Sequence, residues 1–313
     1  MLLLTGIISY NYTNTSYAKW SSSVESKNIL KLHIKTGKSA LEFAQANVGK
    51  GGLEKITHEI DNTLQVNNMF ATEYRYRGGD STVNNYVTFN NEVWRIIGVK
   101  PTEDTDGNVE NRFKIIRDTS VGDMHWDENS SNNWTTATLN TYLNNDYYNT
   151  LSSDAKNMIG TTKYYLGGCD TSEITTDTMW YYERKHDNNS IDYHYGTNPM
   201  MQNDANKKIA LMYASDYGYA ASKTCTSKLS NYKDSVSCKT ANNWLDKSQN
   251  EWLLPQHSGS SGIAFTVTSS GDVANVILVS FFYYTSRPVL TLSSNVKISG
   301  GEGTSEQPYQ LSL

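Results

Sequence analysis

Asn85-Tyr-Val-Thr-Phe-Asn-Asn-Glu-Val-Trp-Arg-Ile-Ile-Gly-Val99 decides the class of fold. Residues 85–90 alternate polar and apolar side chains, the two-residue period of a half-buried strand, and Val93 to Val99 is a second run rich in β-branched and aromatic residues. Asp104-Thr-Asp-Gly-Asn108 then supplies turn chemistry, and Arg112-Phe-Lys-Ile-Ile-Arg117 follows as a third strand. The three read as an antiparallel meander with Trp94 in its core.

C-terminal to the meander, Thr135 to Tyr147 reads as a helix, because Leu139, Tyr142 and Leu143 share one face and Thr135 or Thr136 can cap it. Ser153 to Met158 continues as a short helical turn. The chain is then rich in loops, with short strands at Ile209–Tyr213 and Trp252–Pro255 and a turn or short helix from Ser215 to Tyr219. Ala264–Thr268, the turn Ser269-Ser-Gly-Asp272 and the run from Val273 make a hairpin, and Val289–Leu292 is the final strand before a polar, Gly-rich tail. N-terminal to the meander the period changes. Leu41, Ala44 and Val48, then Leu53, Ile56 and Ile60, fall at helical spacing around Gly49-Lys-Gly-Gly52, so residues 19–69 read as a helical stalk or extension. The expected class is α+β.

Composition limits the function. Only 19% of the 313 residues are charged and the net charge is −5, which excludes the basic footprint that duplex nucleic acid demands. With 22 Tyr and 7 Trp among many Asn, Ser and Thr, the chain suits short strands, polar turns and a contact surface of rigid amphipathic rings. Leu2-Leu-Leu-Thr-Gly-Ile-Ile8 is too short to span a bilayer, and Ser16-Tyr17-Ala18 offers small residues at the positions a signal peptidase reads. Residues 1–18 therefore read as a truncated signal segment, with a frayed first strand as the alternative, and the location as secreted or cell surface. In that setting Cys225 and Cys238, flanking one polar loop, are expected to form a disulfide, leaving Cys169 over.

No metal or catalytic constellation emerges. The three cysteines match no zinc spacing, and Gly259-Ser-Ser-Gly262 lacks the spacing of a nucleophile elbow. His186, Asp187, Asp192 and His194 read as a solvated loop. The Asp104–Asn108 stretch lacks the bidentate Glu of a calcium loop and reads as a plain hairpin turn. No cofactor is called for.

The ordered set Tyr74-Arg-Tyr-Arg-Gly78, Trp94-Arg-Ile-Ile97, Thr138-Leu-Asn-Thr-Tyr-Leu-Asn144, Leu211-Met-Tyr-Ala-Ser-Asp-Tyr-Gly-Tyr219, Trp252-Leu-Leu-Pro255 and Arg287-Pro-Val-Leu290 resembles a bacterial domain of unknown function. That domain occurs in exported proteins of gut-dwelling Gram-positive bacteria, and the likeness covers residues 70–313. The family in turn resembles the C-type-lectin-like fold that also underlies formylglycine-generating enzymes. The resemblance implies a mixed sheet with short helices and long loops, and a binding platform near the C-terminal strands.

Val276-Ile-Leu-Val-Ser-Phe-Phe-Tyr-Tyr-Thr-Ser-Arg-Pro288 is where such a platform would lie. Burying the aliphatic half on both faces lets the strand leave the core at Ser280, so that two of the four rings face solvent; the alternative puts all four in the core. Phe282, Tyr283 and Tyr284, beside Trp252, Gln256, His257, Ser258 and Ser260, are the expected binding residues for a glycan or protein ligand. Two other readings stay open: a divergent, inactive formylglycine-generating-enzyme-like scaffold, and a component of a surface appendage self-associating through residues 19–69.

Overall fold

The computed structural model describes residues 37–60, 68–185 and 198–313. The apolar run at 2–8, the expected signal-peptidase site at Ala18 and the loop with His186 and His194 lie outside them. The architecture is α+β. In chain order, α1 (Ala40–Asn47), β1 (Leu53–Thr57) and β2 (Thr72–Tyr76) precede the meander of β3 (Tyr86–Phe89), β4 (Glu92–Glu103) and β5 (Val109–Arg117). Then follow β6 (Asp123–Met124), α2 (Thr138–Tyr142), α3 (Tyr148–Thr150), α4 (Ser153–Met158), β7 (Tyr164–Tyr165) and α5 (Thr176–Arg184). The rest comprises β8 (Met201–Gln202), β9 (Ile209–Ala210), α6 (Ala214–Ala220), β10 (Glu251–Gln256), β11 (Ile263–Val267), β12 (Val273–Leu278), β13 (Tyr284–Thr285), β14 (Val289–Thr291), β15 (Lys297–Gly300) and β16 (Tyr309–Ser312). Among the described residues no helix is long and apolar enough to cross a membrane.

The main sheet runs β15-β16-β3-β4-β5-β14-β9, with the β1–β2 hairpin attached to β4. The meander is as its alternation dictates: β3 pairs with β4 at Val87↔Trp94 and β4 with β5 at Ile96↔Ile115, both antiparallel. Both faces of β4 and β5 are buried, so the polar positions of the alternation also point inward. Between Ile96 and Gly98 the β4–β5 register slips. Gly98 is required there, because a Cβ would stand 2.1 Å from the carbonyl oxygen of Tyr74. Its missing side chain lets β2 close on β4 and delivers Arg75 and Glu73 to the interior.

Residues 37–57 are not a stalk. Helix α1 forms where the spacing of Leu41 and Ala44 predicts one, with Ser39 and Glu42 in a capping box. The predicted second helix is instead β1, paired from Leu53↔Tyr76 to Thr57↔Thr72, because backbone partners on β2 outweigh a helical spacing only two turns long. Phe43 meets Phe113 at 5.5 Å and Tyr309 at 5.1 Å, edge to face, so α1 belongs to the core. The polar tail also differs from expectation. It forms β15 and β16, and β16 lies parallel to β3 at Tyr309↔Val87. Helix α5, in the loop-rich expectation, is capped by Thr175 and buries Met179 and Trp180.

The second sheet, β12-β11-β10-β13-β6, contains the C-terminal hairpin as read from sequence. Cys225 and Cys238 are bridged across the polar loop. Closing a loop of that length stabilises by about 3 kcal/mol. Peptide mapping of oxidised protein without reductant is therefore expected to recover Cys225 joined to Cys238, and replacing both by Ser to lower the unfolding free energy by about that amount. Two unmodified thiols in natively oxidised material would contradict the pairing.

Candidate functional site

The aromatic run connects β12 to β13 of the second sheet, and its placement follows from one residue. Strand β12 ends at Leu278, and Val279 turns fully inward, where its carbonyl accepts the Trp126 and Asp127 N–H groups at 3.0 and 3.2 Å. With Val279 anchored, the chain reverses at Ser280 and the next residues are left outside. Phe281 is 71% exposed, Tyr283 65% and Phe282 37%. Only Tyr284, where β13 begins, turns back, half-buried against Trp252 at 5.0 Å. The chain is pinned again at Arg287, which donates two hydrogen bonds of 2.8 Å to the Glu251 carboxylate and one of 2.7 Å to the Leu245 carbonyl.

The expectation of two exposed rings thus becomes three, on a turn rather than a strand. Nor is the aliphatic half buried on both faces: Val276 and Leu278 stand 68% and 49% exposed, since β12 is the edge strand of its sheet. The three exposed rings make one aromatic turn directly after β12. It is tied to the core by a ladder of ring contacts, Trp252 to Tyr284, Tyr284 stacked on Phe282 at 5.5 Å, and Phe282 edge-on to Phe281 at 5.0 Å. His125 packs against Tyr283 at 3.9 Å and its Nδ1 lies 3.2 Å from the Phe282 carbonyl. Ser130 and Ser280 hydrogen-bond to each other at 2.6 Å at the rim.

The neighbouring expected residues divide. Trp252 is buried, its indole N–H donating to the Met124 carbonyl at 2.8 Å, and it serves as the base of the ring ladder rather than as a ligand contact. Gln256 is buried too, donating to the Leu166 carbonyl and accepting from the Asn198 amide. Ser258 is inside as well, its N–H donating to the Cys169 carbonyl. These three are corrected from contacts to framework: Trp252 and Gln256 lie on β10, buried along its whole length, and Ser258 is drawn in by its bond to Cys169. His257 and Ser260 remain partly accessible. Their loop is held by Asn132, whose amide reaches the carbonyls of His257, Ser260 and Ile263 at 2.7 to 3.0 Å.

A second constellation escaped the sequence reading. Asp216, fully buried on α6, receives Arg75 Nη1 at 2.9 Å and Lys100 Nζ on Oδ1, and Lys114 Nζ at 2.5 Å and the Tyr213 N–H at 3.0 Å on Oδ2. Glu73 joins Arg75 Nε at 2.6 Å to His58 Nε2 at 2.7 Å, and His58 stacks on Trp180 at 3.8 Å. Glu183 on α5 accepts from the Ser215 N–H and hydroxyl and from Arg184. Burial pushes the Asp216 carboxyl up, but Lys100, Lys114 and Arg75 more than reverse this and hold it well below the usual carboxylate range. Burial, joined by repulsion from Arg75, brings Lys100 down to about 7 against the pull of Asp216. Burial likewise lowers Lys114 and raises Glu183. The available signal was charge at positions where a strand should be apolar: Arg75 among tyrosines and Lys114 between Phe113 and Ile115.

Cys169 is buried, its thiol donating to the Thr171 carbonyl at 3.0 Å, and burial pushes its pKa up. The thiolate that redox or nucleophilic chemistry needs is thereby suppressed. Among the described residues no group of three His, Cys, Asp or Glu is placed to hold a metal ion. Asp104 is occupied in its own turn, accepting the N–H groups of Asp106 and Asn108 at 2.9 Å. Comparison of the chain with models of protein families, with curated proteins and with solved structures finds no match.

Proposed function

We propose that the protein is a secreted or surface-held, C-type-lectin-like binding module that takes a glycan or protein ligand on the platform of Phe281, Phe282 and Tyr283. The observation that carries this is the exposure of three adjacent rings beside Val276 and Leu278, on a turn fixed at both ends by Val279 and Arg287. An apolar surface of this kind costs solubility unless it is covered in use. Rigid rings lose little conformational entropy on binding, and the rim hydroxyls of Ser130 and Ser280 and the imidazole of His125 supply polar contacts. The suppressed thiol of Cys169 weighs against a cysteine-dependent enzyme on this scaffold.

The test pairs binding with stability. Glycan and protein arrays probed with the wild type identify the ligand, and Phe281→Ala and Tyr283→Ala are then compared with it. Exposed rings removed from a folded domain change stability by under about 0.5 kcal/mol, whereas a central interface ring contributes about 2 kcal/mol or more, some thirtyfold in Kd. Unchanged melting with at least one variant losing binding is expected. Full binding by both variants would place the site elsewhere.

A further inference from the structure

The buried constellation borders a cleft that the aromatic platform does not share. Beside β4 and β5 a space of about 50 Å³ opens between Lys100, Lys114, Lys163 and Arg184, with Tyr164 and Tyr213 as walls. Its size accommodates a few waters or a single small group, and is far below the several hundred Å³ of a pocket that encloses a whole ligand. Charge is dense around it. Arg75, Lys100, Lys114 and Arg184 face three buried carboxylates, Glu73, Glu183 and Asp216, while Lys163 at the mouth is matched by Glu103 at 2.7 Å.

The unspent hydrogen-bonding capacity at the cleft's lining is Thr162 Oγ1 and a guanidinium nitrogen of Arg184. Among the described residues, Arg184 Nε and Arg75 Nη2 are buried without a hydrogen-bond partner. The Arg184 side chain is 7% exposed and lines the cleft; its Nη1 is given to the Trp180 carbonyl and Glu183, while its Nε is unpartnered. A buried guanidinium nitrogen without a partner is costly unless an acceptor compensates it. Lys100, lowered first by burial and then by Arg75 and Lys114, gains a counter-charge from an anion in the cleft.

We propose that this cleft binds one small oxyanion group, held by charge-assisted hydrogen bonds from Arg184, Lys100 and Lys114 and admitted past Lys163. The residues come from three elements, β4, β5 and α5, plus the segment before β7. Two of the stretches that carried the sequence resemblance, Tyr74–Gly78 and Leu211–Tyr219, supply Arg75 and Asp216, which set the lysines in place.

The source of the oxyanion is resolved by choice of probe. Inorganic phosphate and sulfate test a free ion, and glucuronate tests an acid group on a sugar body, each titrated calorimetrically at constant ionic strength against chloride. Saturable binding of at least one probe, with a matching rise in Tm, is expected. Lys163→Glu puts a second carboxylate beside Glu103 at the mouth and should weaken that binding at least tenfold, and Lys163→Gln should weaken it less. Tyr283→Ala, on the aromatic platform, should leave it unchanged, which separates failure here from failure of the platform. No saturable binding of any probe beyond chloride, or undiminished binding in both Lys163 variants, overturns the proposal. Should Lys163→Glu not fold, the Lys163→Gln comparison alone decides.

Discussion

Asp216→Asn is expected to cost about 3 to 5 kcal/mol, enough to unfold a domain of ordinary stability. The substitution keeps the shape of the side chain and removes only its charge, yet it leaves Arg75, Lys100 and Lys114 buried around a neutral amide. It also turns one acceptor oxygen into a donor facing cations, so at least one buried ammonium loses its partner outright. The pair as a whole need not stabilise the fold relative to an apolar core; the cost lies in breaking it one-sidedly. Urea unfolding at neutral pH measures the difference, and a change under about 1 kcal/mol would show that water already solvates the cluster.

The same network sets the acid response. Asp216 and Glu73 both have folded values well below their ordinary ones. As pH falls the unfolded chain therefore takes up protons first, and the stabilisation present above about pH 4 is lost progressively below it. A wild-type urea midpoint that stayed constant from pH 5 to pH 2 would contradict the carboxylates' assigned roles.

Trp94→Ala is expected to cost about 3 to 5 kcal/mol as well, by a different route. Trp94 is wholly buried where β3 and β4 pair, edge-on to Phe89 at 5.1 Å. Its indole N–H has no hydrogen-bond partner among the described residues, so the loss is one of packing and cavity formation. Trp94→Phe, which refills part of the space, should recover a large share. Equal losses for Phe and Ala would mean that something other than volume is at stake there.

What could be read in advance follows from how locally each feature is encoded. The meander and the C-terminal hairpin are pairs of adjacent strands joined by Asn-Asn, Asp-Gly or Ser-Gly-Asp turns, and the period-two pattern around Trp94 and Phe265 carries them. Strand β1 was misread because Leu53 and Ile56 satisfy a helical spacing equally well, and its partner on β2 lies beyond an intervening segment. Strand β16 has only Tyr309 and Leu311 to announce it, and its partner β3 lies at the other end of the domain. For the aromatic run, the emergence after Ser280 was legible from the change in composition. The inward turn of Val279 that causes it depends on N–H groups from residues 126 and 127, which no local pattern reveals. The charged cluster was hidden for the same reason: Arg75 and Asp216 each look like surface residues until β2, held close by Gly98, and α6 are brought together.

The parallel pairing of β16 with β3 also governs the order of events in synthesis. Strand β3 leaves the ribosome long before β16, the strand that covers its free edge. Until it arrives, that edge offers unsatisfied backbone groups to any other extended chain, so the nascent protein cannot close its main sheet by growing from the N-terminus. A domain that cannot close its main sheet before β16 is made stays threadable until then. That is a useful property if it must cross a membrane unfolded, and a hazard if it lingers among copies of itself.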